Sequence, residues 1–176
     1  MVASKVALFL CLLISCSCCS EHSTGGIGVS GSAGGEHFEA YSGAFDESSE
    51  HEERSLIFIV LSSRSDICKT WEGGTFKGKT RLLFITICKS SDSPVGAFTI
   101  IADGIPQLPC NGNETWIEVQ DYTDEIMLRR IPATEGIIEL HQYEGTVLVA
   151  EIDVLFGDGD IISGAFSIEF CDVLTD

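Results

Sequence analysis

The feature that most constrains this chain is a period of two near its C-terminus. In Val149 to Phe156, Ile152, Val154 and Phe156 share one parity, and Glu151 and Asp153 take the other. After Gly157-Asp158-Gly159-Asp160, the even parity returns in Ile162, Phe166, Ile168 and Phe170, with Ser163, Ser167 and Glu169 opposite. Alternation on both sides of an Asp-Gly turn predicts a β-hairpin. Such a ribbon has one wet face and one apolar face, and the apolar face must be covered by more sheet.

The upstream sequence offers that sheet. Leu56 to Leu61 is apolar on both parities and reads as a central strand covered on both faces. Arg81 to Cys88, Gly96 to Ile101, Thr115 to Gln120, Glu125 to Ile131 and Gly136 to His141 read as further strands. Phe38 to Phe45 is a first strand. Asp46 to Arg54 reads as a solvated loop, because its carboxylates lack calcium-loop spacing. No helical stripe stands out. The expected fold is all-β, an antiparallel β-sandwich of immunoglobulin-like or transthyretin-like form.

Residues 1–15 read as a signal peptide. Lys5 precedes the apolar run Val6 to Ile14, which is too short to span a bilayer. Leu13-Ile14-Ser15-Cys16 then resembles a bacterial lipobox. Cleavage before Cys16 would leave it bearing a thioether diacylglycerol and an N-acyl chain such as palmitate, and multiple chains anchor stably. An ordinary secretory signal cut after Ser20 is the alternative. Ser17 rather than Asp after the cysteine resembles an outer-membrane destination. Residues 16–35 are Gly/Ser-rich and read as a tether of roughly 20 Å reach; residues 36–176 form the folded domain. The bilayer is thus one expected partner, through Cys16, and an envelope or extracellular protein is the other.

Four cysteines lie in the domain: Cys68, Cys88, Cys110 and Cys171. An even number in an exported domain predicts two disulfides, and three pairings are possible. The favoured set is Cys68–Cys171, tying an early loop to the last strand, and Cys88–Cys110, closing a local loop. A zinc site is not expected, since the domain has no Cys-x-x-Cys.

The succession Gly136-Ile137-Ile138-Glu139-Leu140, the strand ending Phe156-Gly157, then Ile161 to Phe166 and Cys171 resembles the tail of a loose group of surface lipoproteins of myxobacteria and related bacteria. Leu83 to Cys88 with Gly96-Ala97-Phe98 is similar to their middle. The resemblance implies a compact disulfide-bonded sandwich in the cell envelope and no assigned activity.

Charge excludes one class of function. With 27 acidic and 10 basic residues, the net is -17, so nucleic acid is a poor partner. His22, His37, His51 and His141 form no metal-binding pair, and no Gly-x-Ser-x-Gly elbow occurs. No cofactor is expected, and the chain is read as non-enzymatic. Asp158 and Asp160 could present carboxylates to calcium, but Asp-Gly is also what a tight turn requires. Asn113-Glu114-Thr115 matches the N-glycosylation acceptor, which would matter only in a eukaryotic source. Trp71, Trp116, Tyr41, Tyr122 and Tyr143 are the aromatics that a carbohydrate- or small-ligand-binding alternative would use.

Overall fold

The computed structural model describes residues 26–51, 54–72, 76–90, 95–101 and 114–171. The proposed signal peptide, Cys16, Cys110 and Asn113 lie outside the described residues. What is described is almost entirely strand: β1 (Ser30–Ala33), β2 (Glu36–Glu39), β3 (Ser42–His51), β4 (Arg54–Ser62), β5 (Lys79–Ser90), β6 (Gly96–Ile100), β7 (Glu114–Thr123), β8 (Ile126–Glu144), β9 (Val147–Phe156) and β10 (Ile161–Phe170). One short helix, α1 (Ile67–Glu72), interrupts them. It leaves no periodic signal, because six residues are too few to display a stripe.

The two separate sheets of a sandwich are replaced by one sheet that meets itself. Neighbours pair in the order β3–β4–β5–β7–β8–β9–β10, and β10 returns to β3. All contacts in this ring are antiparallel except the last, where Glu169 faces Ala44 and Phe170 faces Phe45 in parallel. That exception follows from counting. Seven strands alternate in direction, so the first and last run the same way and can close only in parallel. β6 lies beside this ring, parallel to the start of β7 and antiparallel to the second half of β8.

Closure and α1 together explain the double burial of the central strands. Ile57, Ile59 and Leu61 face inward with Leu83, Ile85 and Ile87 across the β4–β5 ladder. Their opposite parity is covered too: Val60 and Leu82 pack with Ala44, Ile67 and Cys171 in a second cluster under α1. Cys68 on α1 is disulfide-bonded to Cys171, as the sequence reading favoured. Cys88 is also disulfide-bonded.

The C-terminal hairpin matches its alternation. Leu148, Ala150, Ile152, Val154 and Phe156 are buried, as are Ile162, Phe166 and Ile168 across the ladder. Other boundaries differ from the expectation. The stretch assigned to the tether already folds: β1 pairs with β10, and Val29 and Ala33 are buried. Glycine entropy there is offset by close backbone packing. The expected Asp46–Arg54 loop is instead largely strand, since β3 runs on to His51 and Asp46 is buried against β4. The two short strands expected at Glu125–Ile131 and Gly136–His141 are one strand, β8. A register shift between Ala133 and Glu135 changes which parity faces the core, from Ala133 to Ile138 and Leu140. That shift disguised their continuity.

Close backbone approach requires glycine at several positions, Gly164 and Gly136 among them. A Cβ on Gly164 (φ +136°) would lie 2.1 Å from the Gly28 carbonyl oxygen, and one on Gly136 (φ +141°) would lie 2.4 Å from that of Asp153. Gly157 has only an ordinary contact, 3.6 Å from Thr134. Gly164→Ala and Gly136→Ala are each expected to destabilise by about 2 kcal/mol or more, with Gly157→Ala within about 0.5 kcal/mol of wild type; urea denaturation of the three variants measures this.

Candidate interaction site

The inward faces become polar at both ends of the closed sheet. At one end, Arg81 continues the parity of Leu83 and Ile85, and Asp121 that of Ile117 and Val119. The two face each other across β5–β7. Arg81 Nε donates to Asp121 Oδ1 at 2.6 Å and Nη2 to Oδ2 at 3.1 Å, with both residues buried. Arg129 adds two donors to the same carboxylate, at 2.9 and 2.8 Å. Burial pushes the Asp121 carboxyl up, but the hydrogen bonds and charges of Arg81 and Arg129 outweigh it and hold it below the usual carboxylate range.

The arginines have further donors, and these bolt down the β1–β2 hairpin. Arg81 donates to the carbonyls of Ala33 (3.0 Å) and Glu36 (2.5 Å), and Arg129 to that of Gly34 (3.1 Å). From the other side Asp160 accepts from Ser32 Oγ and from the Gly35 amide, each at 2.6 Å, which keeps its carboxyl low. Both Asp160 oxygens, considered in the sequence for calcium, are therefore engaged in holding a turn. No group of three or more potential metal ligands occurs among the described residues.

At the opposite end, Glu47 accepts from Lys89 Nζ (3.2 Å) and from the Tyr143 hydroxyl. Lys89 also stands 4.7 Å above the Tyr143 ring centroid. Burial first, then the Glu47 hydrogen bond, raise the Tyr143 hydroxyl well above its ordinary pKa. Tyr143 packs on Phe45 inside the sheet, so this trio closes the interior. Between the two ends the interior is filled by apolar side chains.

The outer surface carries a different feature beside the Asp124-Glu125 turn. Ile126, Met127 and Leu128 are 66%, 46% and 63% exposed, three apolar side chains in succession. The turn behind them is pinned. Glu125 N–H donates to the Phe76 carbonyl (3.0 Å), and the Gly78 amide donates to the Asp124 carboxylate (2.7 Å). Phe76 packs on Tyr122, ring centroids 5.3 Å apart. Leu128 falls in the register shift between Asp121 and Tyr122, which turns it outward.

The other aromatics considered for sugar binding lie apart from Tyr122. Tyr41 is exposed and donates to Glu39 (2.6 Å), and Tyr143 belongs to the opposite end. Trp116 lies on the outer face, in one cross-strand row with Thr86, Phe58 and Asp46. Its Nε1 and the Asp46 Oδ2 are buried without a hydrogen-bond partner. The Trp71 side chain lies outside the description. His37 is exposed, and His141 sits 3.8 Å from Glu151.

The sequence analysis assigns no role to Arg81, Asp121 or Lys89, and it places Glu47 in a solvated loop. The signal was present: each is a charged residue in phase with core residues of its own strand. A scan against protein-family models finds no match, and searches of curated proteins and of solved structures find none either.

Asp121→Asn is expected to destabilise by about 3 kcal/mol, because it leaves Arg81 buried without its counter-charge. The acid response has a definite sign. Asp121, Glu36 and Asp160 all titrate below their ordinary values in the folded protein. Their contribution is therefore complete above the unfolded carboxylate range, near pH 4, and is lost as pH falls through the lower folded values. Thermal melts from pH 7 to pH 2 should fall steeply only below about pH 4, and less steeply in Asp121→Asn.

Proposed function

We propose that this chain is an exported, lipid-anchored and non-enzymatic cell-envelope domain that acts through its outer surface on an envelope or extracellular protein. The observation that carries the reading is the Cys68–Cys171 disulfide, which joins residues 103 apart in sequence; Cys88 is bonded as well. Disulfides persist in oxidising compartments outside the cytoplasm. The Lys5-to-Cys16 pattern supplies a route there and an anchor on arrival. The resemblance of Gly136 to Cys171 to surface lipoproteins supports the same envelope. The interior, filled by packed apolar side chains, supports an outward-acting body over a carrier, since a ligand site needs an open concave space.

Intact mass of the mature protein tests the reading. The expected N-terminus is Cys16, carrying a diacylglycerol and an N-acyl chain. A mature chain that starts beyond residue 16, or bears no fatty acid, would overturn the anchored reading.

A further inference from the structure

We draw no further inference here: the strongest candidate, the exposed apolar patch of Ile126, Met127 and Leu128 on the strand leaving the β7–β8 turn, carries nothing, because nothing in the structure shows what covers it.

Discussion

The structure depends on a seam. Two residue pairs, Glu169 with Ala44 and Phe170 with Phe45, join the ends of a seven-strand ring. A pairing so short contributes little by itself, and parallel pairs are slightly weaker than antiparallel ones. The surroundings supply the rest. The Cys171 amide donates to the Phe45 carbonyl at 2.8 Å, and Cys171 is bonded to α1, which packs over β3 and β4. Phe170 meets Phe45 edge-on, centroids 5.7 Å apart. The disulfide thus holds the place where the ring would otherwise part. A bridge across so long a loop also constrains the unfolded chain, typically by about 2–4 kcal/mol.

The β1–β2 hairpin reinforces the same side of β10. β3 meets only the last residues of β10, and β1 pairs with β10 at Gly31–Ile162 and Ser30–Ser163. Gly164 lets the chain at Gly28 approach. Phe38 and Ala33 then enter the core, and Arg81, Arg129 and Asp160 fix the hairpin's turn. A buried Arg–Asp pair costs desolvation. Here the remaining arginine donors are satisfied by the backbone carbonyls of Ala33, Gly34 and Glu36 around the hairpin's turn, so the pair both fills the end of the sheet and positions the hairpin.

Much of this was legible in the residues, for physical reasons. Alternation exposed β9 and β10 because each has one wet and one dry face. Leu56 to Leu61 announced a strand covered twice. It could not say whether the second cover was another sheet or, as found, α1 and its cluster over one closed sheet. The Cys68–Cys171 pairing followed from the merit of tying an early segment to the last strand. Other parts were hidden by local signals that mislead. Glycines between Gly26 and Gly35 resemble a tether in composition, whereas Gly31 and Gly34 serve close packing. The acidic run at Asp46 looks like a loop until β4 is placed beside it. Register shifts in β8 break the period that would have revealed one long strand. The outward Ile126, Met127 and Leu128 carry no sequence mark, because only the fold decides that they stay wet.

Hydrogen exchange followed by mass spectrometry, with Cys68–Cys171 intact and selectively reduced, tests the seam most directly. Reduction should accelerate exchange in residues 42–47 and 166–171 while the β4–β5–β7 ladders remain protected. Equal acceleration throughout, or no change at residues 42–47 and 166–171, would contradict a ring held closed at that point.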